Sequence, residues 1–363
     1  MRVYAARWII PVATPSFEHG VVAVADGRIQ YVGPRNGAPE GELVELGEAV
    51  ILPGLVNAHT HLELTVMRGF LEEMEFRPWI VRLTKARLAV LSREHLLASA
   101  QAGIAEGLLA GITSYGDTCE SGVVLQAMSE MGVRGVMYQE VFGPDPAQCA
   151  ESLAGLREKV DALRPLASSR VALGVSPHAP YSVSDALFAA TTRYARAEAL
   201  PMAVHLAESD AESALVCRGI GPFADGLRAR SISVAPRAGS SVALLDALGV
   251  LDARPLLIHC VTVSDNDLGT IARHSCAIAH CPASNAKLGH GIAPLGRMLT
   301  HGLRVGLGSD SVASNNRMDM LDEARLAVLL QRASERRHDV LPAAEAIQLA
   351  TRGGAEALGL GSV

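Results

Sequence analysis

The chain has 363 residues, of which 49% are hydrophobic and 19% are charged, and its formal net charge is −6. This balance is typical of a folded protein with a large core and argues against extended disorder. The sequence contains neither a long Lys/Arg run nor an apolar run of about 20 residues, so we expect no nucleic-acid partner and no membrane span. No secretory signal opens the chain, and we expect a cytoplasmic protein whose six scattered cysteines are free thiols.

Residues 1–53 predict a small, sandwich-like β-domain. Short apolar runs are separated by turns, and Asp26-Gly27 within VVAVADGRIQYVG is a strong signal for a two-residue hairpin. The segment ends near Pro53-Gly54.

Residues 54–363 predict one large α/β domain. Eight apolar runs rich in Val, Ile, Leu and Ala alternate with helical stretches, as expected for parallel strands that are covered on both faces. The pattern favours a closed (β/α)8 TIM barrel, with a doubly wound open sheet as the alternative. The Gly- and Arg-rich segment 219–240 is predicted to be a loop. The eight runs are 51–59, 111–117, 133–141, 170–178, 200–206, 254–260, 275–281 and 303–310.

The carboxyl ends of these runs carry imidazoles and carboxylates. In such barrels these ends form the active site, and a set this large is hard to explain as core packing. The residues concerned are His59, His61, Asp117, Glu140, His178, His205, His259, His280 and Asp310.

Four of these side chains are candidate ligands of one divalent metal ion, most simply zinc. His59 and His61 are two residues apart, so a strand would point both to the same face. His205 ends the fifth run and Asp310 the eighth. Taken singly, His205 could be a hydrogen-bonded core residue and Asp310 a helix N-cap. Three imidazoles and one carboxylate would leave a coordination position for water, as catalytic zinc sites do.

Two further residues are, together with Asp310, the predicted catalytic residues, and they are candidates for proton transfer and charge stabilisation. Glu208, three residues after His205, is placed to carry protons. His259 is placed to orient the attacking water or to stabilise the developing oxyanion.

Several motifs in order resemble the amidohydrolase superfamily, in its branch of deaminases and chlorohydrolases that act on heterocycles. The likeness extends from about Val21 to Leu360 and is greatest to deaminases of S-adenosylhomocysteine, methylthioadenosine or aminodeoxyfutalosine. The motifs are PGLVNAHTHLELTVMRG, SPHAPYS, HLAESDAE, LIHC, HCPASNAKLGHG and GLGSDSVASNNRMDML.

The resemblance implies roles for individual residues. The site would hold one zinc or iron ion on His59, His61, His205 and Asp310, with Glu208 as the proton shuttle and His259 beside the water. Substrate contacts are expected from His178, which would touch the purine ring, from Trp79 as a packing residue or ring stacker, and from Ser284 and Asn285 in a loop that closes on the substrate. His290 is a further candidate contact.

The sequence departs from the family pattern at two places. Where nucleoside deaminases of this branch carry a glutamate that holds the ribose hydroxyls, the chain reads Phe76-Arg77-Pro78-Trp79; Glu72, Glu73 or Glu75 are candidate substitutes. The chain also stops at Val363, before the strands that usually complete the small β-domain.

We therefore expect a hydrolytic deaminase in which metal-bound hydroxide attacks the ring carbon of an adenosine-like nucleoside or related amino-heterocycle and ammonia is released. The first alternative is a chlorohydrolase or aminohydrolase of triazine-like rings. The second is a non-catalytic barrel protein. The expected partner is a small heterocyclic substrate, and a homodimer is a further hypothesis.

Overall fold

The computed structural model describes residues 1–361. The chain forms two compact units, of which the first spans Met1–Gly54 and the second begins at Leu55. All six cysteines are free, as predicted. Within residues 1–361, none of the helices combines the length and the hydrophobicity that crossing a bilayer requires.

The N-terminal unit is a five-stranded mixed sheet. Its strands run in the order β3-β2-β1-β4, and β5 also pairs with β1, so all five belong to one sheet rather than to the two layers of a sandwich. Asp26 and Gly27 join β2 to β3 with φ values of 52° and 70°, which is the left-handed pair that a type I′ hairpin requires. The strands are β1 Arg2–Ile9, β2 Phe17–Ala25, β3 Arg28–Pro34, β4 Glu42–Glu45 and β5 Val50–Ile51.

The second unit is the predicted (β/α)8 TIM barrel. Its eight parallel strands form two four-stranded sheets, β6-β7-β8-β9 and β10-β11-β12-β13. Parallel bridges join the sheets at both seams, between Val175 and Met202 and between Thr60 and Asp310. Each strand coincides with one of the eight predicted runs: β6 Leu55–Thr60, β7 Ile112–Cys119, β8 Arg134–Val141, β9 Val171–Pro177, β10 Ala203–Leu206, β11 Leu256–His259, β12 Ala277–His280 and β13 Arg304–Leu307.

Helices connect the strands and cover the sheet. Residues 219–240, predicted to be a loop, include a short helix that begins at Pro222, a residue favoured in the first helical turn, and buries Phe223. The α-helices are α1 Phe76–Val90, α2 Arg93–Leu109, α3 Val123–Met131, α4 Cys149–Leu163, α5 Asp185–Ala197, α6 Asp210–Arg218, α7 Pro222–Arg228, α8 Ser241–Ala247, α9 Asp265–Arg273, α10 Pro282–Lys287, α11 Leu295–Thr300, α12 Val312–Asn315, α13 Met320–Glu335, α14 Ala343–Gln348 and α15 Gly354–Ala357. A π-helix, Leu349–Gly353, precedes α15.

The strands are buried on both faces. All residues of β6, β10, β11 and β12 are buried, and the last three strands are accordingly apolar except for one histidine each. Apart from Asn57 in the middle of β6, the polar side chains that these strands carry lie at or next to their carboxyl ends, and the barrel gathers those ends at one rim.

Candidate functional site

The barrel brings the predicted metal ligands together. The ring centroid of His59 lies 4.9 Å from that of His61 and 4.9 Å from that of His205. One ligand nitrogen from each of these residues lies within 4.8 Å of the other two. His59, His259 and Asp310 form an overlapping group of the same kind. Residues from four strand ends therefore surround one point.

Asp310 completes this cluster. Its Oδ1 atom lies 3.3 Å from His59 Nε2 and 3.5 Å from His61 Nε2. The carboxylate also accepts hydrogen bonds from the Ser311 backbone nitrogen at 2.6 Å and from the Ser284 hydroxyl. The N-cap of the following helix is Ser311, so Asp310 does not have the capping role that the sequence left open.

The protonation states suit a cation. Burial lowers the pKa values of His59, His61 and His205 and so favours neutral imidazoles. Burial opposes ionisation of Asp310, but the neighbouring imidazoles, His59 first, outweigh it and hold the pKa of Asp310 well below its usual value. Neutral imidazole and ionised carboxylate are the forms that bind metal.

An orphaned atom supports the same conclusion. Buried His59 Nε2 has no hydrogen-bond partner among residues 1–361, and an unsatisfied buried polar atom costs about 1–3 kcal/mol. The Nδ1 atom of His205 lies 3.1 Å from the His178 backbone oxygen and donates to it, which leaves Nε2 of His205 for a ligand role. These residues fit a divalent cation.

A glycine permits this close arrangement. A Cβ atom at Gly308 would lie only 2.8 Å from the backbone nitrogen of His59. Any larger residue would push β13 away from β6 and would withdraw Asp310 from the imidazoles.

Glu208 lies beside the cluster and is 3% exposed. Its Oε1 atom is 3.6 Å from His259 Nε2 and 3.5 Å from His290 Nε2, and its Oε2 atom accepts a hydrogen bond from the Tyr181 hydroxyl at 3.1 Å. Burial raises the pKa of Glu208, but the attraction of His259 and His290 outweighs burial and lowers the pKa below its ordinary value. An ionised carboxylate at this position can accept a proton. Sequence reasoning missed Tyr181, although the residue lies within the SPHAPYS motif.

Ser284 and Asn285 lie behind these residues. Both are buried in α10, and neither lines the cavity. Ser284 bonds to Asp310, whereas the Oδ1 atom of Asn285 lies 3.0 Å from His259 Nδ1. That contact directs His259 Nε2 towards Glu208. The two residues thus contact the cluster from outside the cavity.

The remaining strand-end residues have separate positions. Burial and nearby His61 lower the pKa of His178, which lines the cavity, to about 3. Asp117 is fully buried and accepts a hydrogen bond from the Leu62 backbone nitrogen at 2.7 Å. His280 is buried inside the barrel and does not line the cavity.

A cavity of about 520 Å³ opens onto the cluster. Trp79 and Arg77 of α1 line this cavity, but Glu72, Glu73 and Glu75 do not. Glu72 instead accepts hydrogen bonds from Lys287 and Asn316 on the surface. None of the three glutamates is therefore placed to replace the family's ribose-binding residue. The acidic residues that line the cavity, besides Glu208 and Asp310, are Glu63, Glu120 and Glu140.

Comparisons with known proteins agree with this geometry. The family whose model matches is the amidohydrolase family, over residues 50–363. A 5-methylthioadenosine/S-adenosylhomocysteine deaminase of Moorella thermoacetica is 31% identical over 97% of this chain and 79% of that protein. A protein of the same name from Desulforudis audaxviator is 33% identical over the same shares. An adenosine deaminase structure from Xanthomonas campestris, with bound zinc, is 27% identical with a TM-score of 0.83 and covers 99% of this chain and 80% of that one. The chain therefore belongs to the amidohydrolase family of metal-dependent hydrolases.

Proposed function

We propose that the protein is a hydrolytic deaminase that removes the amino group of an adenosine-like nucleoside or related amino-heterocycle as ammonia. The observation that carries this proposal is the convergence of His59, His61, His205 and Asp310 beside the buried carboxyl group of Glu208 at the end of a cavity. The names of the relatives supply the substrate class.

The metal that we propose is zinc, held by His59, His61, His205 and Asp310. Imidazole nitrogens suit zinc, and the similar deaminase structure contains zinc. When bound, zinc lowers the pKa of water toward about 7 and so provides a nucleophile at neutral pH.

Glu208 is the proposed proton carrier. It accepts a proton from the attacking water and delivers it to a ring nitrogen. The amino group then leaves as ammonia with the remaining proton of the added hydroxyl, whose oxygen becomes the ring carbonyl. Tyr181 and His290 fix the two oxygens of Glu208, since they lie 3.1 and 3.5 Å away. His259 is oriented by Asn285, and its Nε2 atom faces Glu208. In that position His259 orients the attacking water.

Substrate contacts are proposed for His178 and Trp79. Both line the cavity. His178 packs against Phe142 and His205, so we assign it a polar contact through its ring edge, whereas Trp79 offers an aromatic ring to a purine. Trp79 is largely buried in α1, so part of its indole packs against the protein and its accessible part faces the cavity.

Ammonia release from metal-loaded protein tests the proposal. We expect turnover of adenosine, methylthioadenosine or a related 5′-substituted adenosine in a panel of aminated heterocycles. A zinc-containing protein that deaminates no member of the panel would contradict the proposal.

The two alternatives give different results in the same assay. Release of chloride or alkylamine from triazines without ammonia from nucleosides would favour the chlorohydrolase. Folded protein that binds no metal would favour a non-catalytic barrel.

A further inference from the structure

The acidic wall of the cavity contains one glutamate that the protein leaves unsatisfied. Of the three acidic residues there, Glu63 accepts hydrogen bonds from Arg87, Ser121 and Cys119, and Glu120 pairs with the same Arg87. These two carboxylates therefore have partners within the protein and share the charge of Arg87. Within the described part of the chain, the third, Glu140, has no such partner.

Glu140 lies near the carboxyl end of β8 and is 6% exposed. Among residues 1–361, no group donates a hydrogen bond to its Oε1 atom, which is buried. The nearest imidazole nitrogen is His178 Nε2, at 4.0 Å, which is beyond hydrogen-bond length. Glu140 and His178 therefore border a polar space in the cavity that neither fills.

An unpaired buried carboxyl group lowers the stability of the folded protein. An apolar residue of the same size at that position would avoid this loss. The arrangement is stable when a ligand supplies the missing partner. A hydroxyl group suits this space because it both donates and accepts. The hydroxyl can thus form hydrogen bonds with both the Glu140 carboxyl group and His178 Nε2. It donates to whichever of the two lacks a proton and accepts from whichever carries one. An ammonium group only donates and would fail against a protonated imidazole nitrogen.

We propose that Glu140, together with His178, is the specificity-determining subsite for a sugar hydroxyl of the substrate. This inference rests on the proposed deaminase function and deepens it, since it makes the substrate a ribonucleoside rather than a free base or a deoxynucleoside. It assigns hydroxyl recognition to the barrel strand β8 and not to the Phe76–Trp79 segment, where Arg77 and Pro78 offer no hydrogen-bond acceptor on their side chains.

The test compares adenosine with 2′,3′-dideoxyadenosine, which have the same ring and differ only in the hydroxyls. Ammonia release gives kcat/KM for metal-loaded wild type and for Glu140→Leu, which removes the carboxyl at similar volume. We expect wild type to prefer adenosine by about 10- to 100-fold, mainly through KM, which corresponds to one or two hydrogen bonds. In Glu140→Leu we expect the preference to fall to about threefold or less through a loss on adenosine alone.

The matched control is Glu120→Gln, which changes a carboxylate of the same cavity wall that is already paired with Arg87. It should retain the wild-type preference. Equal kcat/KM values for the two nucleosides in wild type would overturn the inference, and so would an equal loss on both in Glu140→Leu. If Glu140→Leu does not fold, Glu140→Gln replaces it, and an unchanged preference in that variant overturns the inference.

Calorimetric binding of inosine and 2′,3′-dideoxyinosine, the corresponding deamination products, separates this inference from the proposed function. Absence of ammonia from every member of the panel of aminated heterocycles refutes the deaminase proposal. A preference for inosine that is present in wild type and lost in Glu140→Leu would still support the subsite. Equal affinities in wild type would overturn it.

Discussion

Replacing Glu208 with glutamine removes the charge of the proposed proton carrier but keeps its size and one carboxamide oxygen. The Tyr181 hydroxyl, 3.1 Å away, can still donate to that oxygen, so the side chain should remain in place. Glutamine cannot accept and release a proton near neutral pH. General acid–base catalysis contributes about 10²- to 10⁴-fold, so we expect kcat to fall by that factor, or by about 3–5 kcal/mol in activation free energy.

Ammonia release measures kcat, and elemental analysis of the same samples measures metal content. Metal content should be unchanged, because Glu208 is not among the residue groups placed to hold a cation. Tyr181→Phe is the matched control, since it removes one hydrogen bond to Glu208 and leaves the charge; about a tenfold loss is expected. Glu208→Gln with more than a tenth of wild-type kcat would refute the assigned role.

Three further variants test the supports of the site and the core. Ser284→Ala removes a hydroxyl bonded to Asp310 and should weaken zinc affinity about 10- to 100-fold in a chelator competition titration. Gly308→Ala would place a Cβ atom 2.8 Å from the His59 nitrogen and should lower the free energy of unfolding by about 1–3 kcal/mol in urea titrations. Burial, and secondarily the charge of a neighbouring imidazole, lowers the pKa of His280 to about 3. Because the unfolded state then binds more protons below pH 6.5, His280 should cost about 1.4 kcal/mol of stability per pH unit as the pH falls from about 6.5 toward 3. His280→Leu should flatten that dependence.

For each of these three predictions, one experimental outcome would contradict it. Unchanged zinc affinity in Ser284→Ala would mean that Asp310 needs no such support. For the glycine, the matched control is Gly155→Ala within α4, where nothing lies within 4 Å of the new Cβ atom; it should stabilise by about 0.5–1 kcal/mol. Equal effects at both glycines would refute the steric argument. Parallel pH profiles of wild type and His280→Leu would show that His280 is not the titrating group.

Local patterns sufficed to predict the barrel and its rim. The strands are buried on both faces, so their apolar runs stand out from the helical stretches between them. The ends of parallel strands meet at one edge, so a polar residue such as His205 or Asp310 can be placed without knowledge of any contact. The hairpin could be predicted from the Asp26-Gly27 pair, because these residue types readily adopt the left-handed φ values that its turn requires.

Contacts between distant parts of the chain could not be predicted in this way. Ser284 bonds to Asp310, 26 residues away, through the particular rotamers that α10 and the loop after β13 adopt. Arg87 of α1 contacts Glu63 and Glu120, which lie outside that helix. The spacing of these residues in the sequence does not predict the contacts. The unpaired state of Glu140 depends on these contacts, because Arg87 is already occupied by the other two carboxylates.

Backbone strain at the rim connects this geometry with function. Ala207, His259 and Asp310 have φ values of 51°, 74° and 58°, a region that costs a non-glycine residue about 1–3 kcal/mol. Hydrogen bonds to neighbouring strands hold this conformation: the Asp310 nitrogen donates to the His59 oxygen at 2.9 Å, and the Cys260 nitrogen donates to the Leu206 oxygen at 3.0 Å. All three strained residues are at or next to strand ends where the proposed chemistry takes place. At His259 and Asp310 this conformation turns the side chain away from the direction that an extended strand would give it and into the cluster. Part of the backbone strain of the barrel therefore lies at positions where imidazole and carboxylate meet.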